Sequence, residues 1–283
     1  MTVNCIPDPT GKQRGEHAQA WRTDLFQDLE VLHATYRHHR FPRHLHEEFC
    51  IGVITQGAEQ VRYRGTTHLA AVGSLVVIPP EAVHSNVAAD ATGWSFRVCY
   101  PKATLFTQLG FGASLPCFQA PIIVDPPLAQ AFIYFHQLLS QANPQTALVA
   151  ESVLLTALAQ LVQRHSQSRL TDQQGSESRA VNQIRDYLHV YYADKIVLQD
   201  LAQLTGLSPY HLSRVFQRAT GLPPHAYLIQ VRIAKAKTLL AQGHLPAAVA
   251  CEMGFTDQSH LTKTFKAIVG VTPKQYQGSQ LNH

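Results

Sequence analysis

Cysteine is scarce in this chain and poorly placed for any framework. Five cysteines, Cys5, Cys50, Cys99, Cys117 and Cys251, are scattered over 283 residues with no C-x-x-C pair. An odd, dispersed set argues against a disulfide scaffold or a zinc finger, and for a reducing, cytoplasmic setting. Charge is also thin: 15% charged against 45% hydrophobic residues is the balance of a globular chain, not a disordered one. No run approaches 18 apolar residues, and Asn4, Pro7, Asp8, Pro9 and Lys12 leave no apolar core for a leader. The expectation is therefore neither a signal peptide nor a membrane span. Paired carboxylates, a Ser/His/Asp grouping and a phosphate-cradling glycine loop are all missing, so hydrolase and NTPase chemistry is not expected. The length suits two domains.

What is present is a tandem repeat. Leu212, Phe216, Gly221, Pro224 and Tyr227 recur 49 residues later as Leu261, Phe265, Gly270, Pro273 and Tyr276. Each copy reads as a short helix, a glycine turn and a second helix. In the first, Leu198–Leu204 is the short helix, Gly206 breaks it, and Ser208 caps a helix with Pro209 at its first position. Leu212, Val215, Phe216 and Ala219 then form one apolar stripe. The second copy has Pro246–Glu252, Gly254, Thr256 as the expected cap, and Leu261, Phe265 and Ile268 as the stripe. Its turn is one residue longer.

Outside the stripes the two helices carry Tyr210, His211, Arg214, Gln217 and Arg218, and Gln258, Ser259, Lys263 and Lys266. A buried stripe opposite a face of Arg, Gln, Ser and Lys is what a DNA recognition helix requires. Surface helices with solvated basic faces are common, but the matched repeat raises the DNA reading above that. The charge agrees. Residues 1–170 hold 12 basic and 12 acidic side chains, and residues 171–283 hold 11 and 7, so the whole formal charge of +4 falls on the repeat half. Tyr210, His211, Arg214, Gln217, Gln258, Ser259 and Lys263 are the expected base-edge contacts, and Arg218, Arg232 and Lys266 the expected phosphate contacts.

These residues carry a family resemblance. The runs LAQLTGLSPYHLSRVFQRATGLPPHAY and MGFTDQSHLTKTFKAIVGVTPKQY make the span from about Val181 to Tyr276 similar to the double helix-turn-helix domain of AraC-type transcriptional regulators. The resemblance implies two recognition helices in successive major grooves of double-stranded DNA. A helix from about Pro224 to Ala241 would join them; ~17 residues at ~1.5 Å rise span roughly 25 Å. It also implies a bacterial activator that contacts RNA polymerase.

The first half reads as β. Strands are expected at Leu29–Tyr36, Glu48–Thr55, Gln60–Tyr63, Thr67–Ala70, Ser74–Ile78 and Trp94–Tyr100, after a mobile arm of about 20 residues. Short strands with Gly and Pro turns suggest a barrel or sandwich. His44-Leu45-His46 opens a stretch expected to put His44, His46, Glu48 and Cys50 on one strand face. Gly73, Pro79 and His84 follow at intervals of six and five. Together with RYRG at Arg62–Gly65 and Gly93–Arg97, these resemble a cupin barrel, more closely the cupin-like sensor half of AraC-type regulators. Cupin enzymes hold a divalent metal with three histidines and a glutamate. His44, His46 and His84 match the histidines, but Cys50 and Ile51 stand where the glutamate belongs. That departure favours a small-molecule pocket over a metal, so no cofactor is assigned, and a divalent metal on His44, His46 and His84 is the lesser expectation. His44, His46, Glu48, Tyr63, His84 and Arg97 are the pocket candidates, with Arg43, Arg64 and Trp94 weaker.

Helices are expected at Pro127–Gln141 and Gln145–His165. The second carries Leu148, Leu154, Leu155, Leu158, Leu161 and Val162, more aliphatic surface than one barrel contact needs. Packing on the barrel is the plain reading, whereas the resemblance implies a homodimer interface. Residues 166–180 form a polar Gly/Ser-rich linker. The predicted fold is thus α+β with two domains: a cupin-like jelly roll with two C-terminal helices (1–165), then an all-α tandem helix-turn-helix domain (181–280). The predicted function is a ligand-responsive, sequence-specific DNA-binding regulator with an unknown small-molecule effector. Two alternatives stay open: a metal-dependent cupin enzyme fused to a DNA-binding domain, and a constitutive regulator whose barrel only dimerises.

Overall fold

In the computed structural model, described for residues 16–280 apart from 24, 27, 110–114, 141–143 and 168–175, the chain is a β-rich half followed by a helical half. The strands of the first half are β1 (His17–Thr23), β2 (Leu29–Tyr36), β3 (Arg40–His44), β4 (Cys50–Tyr63), β5 (Thr66–Ala71), β6 (Ser74–Ile78), β7 (His84–Ala88) and β8 (Trp94–Tyr100). After the short α1 (Ala103–Gln108) come β9 (Cys117–Phe118), β10 (Ile122–Val124), α2 (Pro126–Leu139), α3 (Pro144–His165) and β11 (Ser166–Gln167). One sheet runs β1-β2-β8-β4-β6-β10, and β3, β7 and β5 attach through the far half of β4.

The 14-residue β4 is the hinge of this barrel. Its first half pairs with β6 and β8, its second with β5 and β7. The register slips between Ile54 and Gln56. Such a bulge shifts side-chain parity by one, so Cys50, Gly52 and Ile54 face inward before it and Glu59, Val61 and Tyr63 after it. Gly57 follows at φ 65°, where a Cβ would lie 2.1 Å from the Gly93 carbonyl oxygen, so only glycine lets the two strands approach here. The two strands expected at Glu48–Thr55 and Gln60–Tyr63 are therefore one. The stretch His44–Cys50 is not one strand face: β3 stops at His44, and β4 starts at Cys50.

The outer side of the main sheet, with Val31, Ile51, Val53, Leu75, Val77 and Cys99, is covered by α2 and α3. Asp125 caps α2 by accepting from the Leu128 amide (3.2 Å), and its other oxygen meets Arg164 and His165 at the end of α3 (3.2 and 2.9 Å). The apolar stripe of α3 is spent inside this core. Leu154, Leu158, Leu161 and Val162 are buried and Leu155 is partly buried, which leaves Leu148 and Val149 exposed. Within one chain most of the α3 stripe is thus spent on the core, and Leu148 and Val149 are the large aliphatics it leaves for a partner. Helix Ala147–His165 is long and apolar enough to cross a membrane by composition alone, yet its large side chains pack against α2.

The helical half comprises α4 (Ser176–Val190), α5 (Leu198–Thr205), α6 (Pro209–Thr220), α7 (Pro224–Ala241), α8 (Pro246–Glu252), α9 (Gln258–Val269) and α10 (Pro273–Gln280). The expected linker centre, 168–175, lies outside the described residues, and α4 already starts at Ser176. Both repeats close alike: Gly221 and Gly270 cap α6 and α9 at φ 83° and 91°. Phe216 then meets Tyr227 edge-on at 5.4 Å, and Phe265 meets Tyr276 edge-on at 5.5 Å. Ser208 caps α6 as expected, accepting from the His211 amide, but α9 is capped by Asp257, not Thr256. The extra turn residue moves the cap one place on.

The two halves share a core. Ile229, Ile233, Ala236, Phe265, Ile268 and Tyr276 belong to the same buried cluster as Leu32, Tyr36, Phe41, Phe96 and Tyr100 of the barrel.

Candidate DNA interface and effector cavity

The recognition faces follow from the buried stripes. Leu212, Val215 and Phe216 hold α6 down, leaving Tyr210, His211, Arg214, Gln217 and Arg218 exposed. Arg214 lies 5.8 Å from the Tyr210 ring, one helical turn away, a stacking contact that orders the guanidinium at the surface. On α9, Leu261, Phe265 and Ile268 are buried and Gln258, Ser259, Lys263 and Lys266 are exposed. All seven side chains expected at base edges therefore lie on two solvent faces, and so do Arg218 and Lys266.

Arg232 does not. It is 8% exposed on α7, whose flanks are buried nearly all round. Its guanidinium donates to the carbonyls of Tyr192 (2.7 Å), Gly254 (2.6 Å) and Asp194 (3.0 Å). With its donors spent on backbone, Arg232 joins the α4–α5 loop to the turn of the second repeat and is no phosphate contact. A Cβ on Gly254 would meet both this guanidinium and the Ala193 carbonyl, which explains glycine there.

In the barrel, His44, His46 and His84 converge. One ring nitrogen from each falls within 4.8 Å of the other two, and the ring centroids of His44 and His84 are 4.2 Å apart. His44 Nδ1 is 2.8 Å from the Pro42 carbonyl and His84 Nδ1 is 3.0 Å from that of Ala82. A carbonyl only accepts, so both protons sit on Nδ1 and both Nε2 lone pairs are left for another partner. Burial lowers the pKa of His44 to about 4 and takes His84 and His46 well below the usual histidine value, so all three are neutral at pH 7. Three neutral imidazoles fit a divalent ion by donor type, but no carboxylate joins the cluster among the described residues.

The expected pocket residues divide. His44, His46 and Glu48 line a narrow cavity between the barrel and α7, with a volume of about 60 Å³ and an opening to solvent. Leu32, Phe41 and Tyr100 close it on the barrel side, and Tyr227, Gln230, Val231, Ile233, Lys237 and Ile268 on the helical side. His84, together with His44 and His46, also borders the adjoining barrel interior. Tyr63 instead borders an outer cleft beside α6. Arg97 is misplaced: it pairs with His33 and Val53 on the sheet face turned toward α2, so it lines neither cavity. Trp94 is buried among Tyr36 and Phe96 as core.

Sequence reading missed two acids. Glu59 is buried in the barrel interior, where burial raises its pKa to about 7 and Asn86 donates to it at 3.2 Å. Glu30 sits where the halves meet. Its carboxylate takes Lys237 Nζ at 2.8 Å and the Tyr276 hydroxyl at 2.8 Å, with Arg22 at 3.6 Å. At the other repeat, the Tyr227 hydroxyl accepts from Arg185 (3.2 Å), which is ion-paired with Glu81 of the barrel. Each repeat tyrosine thus belongs to an arginine–acid pair that reaches the barrel, and the cavity touches both acids.

Comparison with known proteins agrees with this arrangement. The model of the AraC-like ligand binding domain matches residues 26–158, and a helix-turn-helix domain model matches 201–279. The uncharacterized HTH-type transcriptional regulator YbfI of Bacillus subtilis is 32% identical over 78% of this chain and 82% of its own length. The Msm operon regulatory protein of Streptococcus mutans is 29% identical over 44% of this chain and 45% of its own. Among solved structures, an apo ToxT variant from Vibrio cholerae covers 89% of this chain and 97% of its own at TM-score 0.58 and 12% identity. Wild-type ToxT bound to an unsaturated fatty acid covers 93% of each chain at TM-score 0.53 and 11% identity. A cupin-like barrel docked on two matched helix-turn-helix units, with relatives of this kind across most of its length, places the chain in the AraC family of transcriptional regulators, with a ligand-binding half and a DNA-binding half.

Proposed function

We propose that a small molecule bound between the barrel and α7 controls how α6 and α9 are presented to DNA, and that the chain works as a homodimeric activator contacting RNA polymerase. The observation that supports the ligand response is the cavity itself, while the dimer and the polymerase contact rest on family membership alone. The cavity is walled by both halves and touches Glu30, Glu81, Tyr227 and Lys237, the groups that dock one half on the other. A ligand there has a physical route to the DNA-binding half, because it shifts whichever docked arrangement it fits. Apolar walls beside neutral imidazoles suit a mostly apolar ligand with one hydrogen-bonding end.

In this reading residues 1–165 sense and dimerise, 166–180 link, and 181–280 bind DNA. Tyr210, His211, Arg214 and Gln217 meet one major groove, and Gln258, Ser259 and Lys263 the next, with Arg218 and Lys266 on phosphates. The two faces differ chemically, so the two half-sites differ in sequence. Relatives named as regulators speak for binding over catalysis, and a DNA-bound regulator works in the cytoplasm where the chromosome is.

A DNA titration on the sequences flanking its own gene, at two salt concentrations and with a metabolite mixture, tests this. Selective binding shifted by metabolites is expected. Selective binding that ignores them would instead support the constitutive architecture, and salt-driven unselective binding would refute a specific regulator. The convergence of three neutral imidazoles, His44, His46 and His84, favours a second reading, a divalent ion in the barrel. Stoichiometric metal in the purified protein, lost in His84→Ala, would establish it.

A further inference from the structure

The barrel carries an arginine face that its own half does not explain. Arg40 and Arg43 on β3, Arg62 on β4 and Arg64 in the turn after it are all exposed. Among the described residues none of the four makes an ion pair; Arg64 only overlies the Tyr63 ring at 5.1 Å. Of the nearby acids, Glu59 points inward, Glu81 borders the same cleft but pairs with Arg185, and Glu16 accepts from the amides of Arg37, His38 and His39. Four unpaired cations on joined strands repel one another unless an anion lies across them.

Their position says which anion. Arg43, Arg62 and Arg64 line one cleft with Arg218, in the last turn of α6. Arg40 lines another depression with Gln258, Ser259, Lys263 and Lys266, the outward face of α9. This relation is fixed by packing. A Cβ on Gly221 would sit 2.9 Å from Val83, and one on Gly270 2.3 Å from the Tyr36 hydroxyl and 3.2 Å from Phe41. The barrel is therefore seated directly on the C-terminal caps of both recognition helices, and its arginines prolong both outward faces.

We propose that Arg40, Arg43, Arg62 and Arg64 bind the phosphate backbone of the duplex that α6 and α9 read, so that the sensor half supplies part of the DNA affinity. This rests on the DNA-binding reading of α6 and α9. Guanidinium forks fit phosphate bidentately and keep their charge at any working pH. Contacts of this type position the protein and carry no sequence preference. Because the face belongs to the barrel, it engages DNA only while the two halves are docked, which makes docking itself a determinant of affinity.

The test uses the full chain, a random-sequence duplex of about 40 base pairs and duplexes from the DNA flanking its gene, titrated at several salt concentrations. Each phosphate contact adds about 0.9 to the slope of log K against log salt. The Arg40→Gln/Arg43→Gln/Arg62→Gln/Arg64→Gln chain should lose about 3.6 from that slope and at least tenfold in affinity, equally on both DNAs. The four corresponding Lys variants together should keep the slope, and Arg214→Ala should lose selectivity while keeping the barrel's share of it. All four sites are exposed, so the melting temperature should hold; single Gln variants, each lowering the slope by about one, cover the case where it does not. A quadruple variant with wild-type slope, or with tighter binding, would overturn this proposal alone. So would a melting temperature raised by inorganic phosphate in the wild type but not in the variant, if DNA binding is unchanged, since that marks a small-anion site. A wild-type chain that binds neither duplex would overturn the DNA-binding reading and this proposal with it.

Discussion

Removing the Glu30 carboxylate should undock the two halves. Glu30 is 7% exposed and holds two strong partners across the interface, Lys237 Nζ and the Tyr276 hydroxyl, both at 2.8 Å. Arg22 stands 3.6 Å away and keeps a second acid, Asp28, at 2.6 Å. In Glu30→Ala the Lys237 ammonium, 12% exposed, is left without its carboxylate, and the tyrosine loses its acceptor. Stranding one member of a buried pair costs about 3–5 kcal/mol. For a chain of 283 residues, a loss of that kind lowers the melting temperature by roughly 5–8 °C where unfolding is a single transition. Undocking instead splits the transition, and amides of β1 and α10, whose contact the cluster guards, exchange faster in hydrogen-exchange measurements. Glu30→Gln combined with Lys237→Met removes the stranded cation, keeps an acceptor for Tyr276, and should recover most of the loss. A Glu30→Ala chain within about 1 kcal/mol of wild type, with a single unmoved transition, would falsify the docking role.

Three further outcomes follow from the site. Arg214→Ala should cost about 1–3 kcal/mol on the selected site and little on random DNA, read by paired titrations; equal losses would reassign Arg214 to a phosphate. Arg232→Ala strands three carbonyls, so it should lower the stability of the helical half by about 2–4 kcal/mol in chemical denaturation, with DNA affinity falling in step with folded fraction and the salt slope unchanged. Glu59→Gln should be more stable than wild type at pH 8, by up to about 3 kcal/mol for the rise from 4.5 to about 7. The sign follows from proton uptake: between pH 4.5 and 7 the folded state holds the proton more tightly, so wild-type stability falls as pH rises through that window and the advantage closes below about pH 4.5. His44, with its folded pKa lowered to about 4, works the other way, weakening the fold as pH falls from 6.5 toward 4. Denaturation midpoints of both chains across pH 4–8 separate the two groups.

The helix-turn-helix units were legible because everything that defines them is local. Stripe, cap proline and terminal glycine all fall within a dozen residues, and α6, α7 and α8 occupy the expected spans. The strands β2, β6 and β8 also coincide with their predicted limits. β3 and β7 were missed because they are short and β3 is held by a partner about forty residues away, whereas β1, polar and expected largely within a mobile arm, pairs with the adjacent β2. The bulge after Ile54 hid Glu59: parity counted from Cys50 puts that acid outside, whereas Val61 and Tyr63 beside it point to an inward face. Arg232 failed for a different reason. A basic residue on a helix between two DNA-reading units looks like a phosphate contact, and nothing local announces that three carbonyls converge on it. The stripe on α3 was real but was absorbed by α2 and the sheet.

The repeat and the docking are connected. Tyr227 and Tyr276 are equivalent by sequence, 49 residues apart, and each stacks edge-on against the matching phenylalanine. Their hydroxyls diverge. That of Tyr227 serves Arg185, from the helical half, which then reaches Glu81 of the barrel. That of Tyr276 meets Arg22 and Glu30, both from the barrel. The second unit is therefore bound to the sensor directly and with burial, the first through an intermediary whose acid is 45% exposed. Water and salt weaken the first link far more than the second. Under the proposed ligand response, a molecule that disturbed the cavity wall would meet the weaker link at Tyr227 and Glu81, so α6 would be freed with less work while α9 and its neighbour Arg40 stayed seated on the barrel.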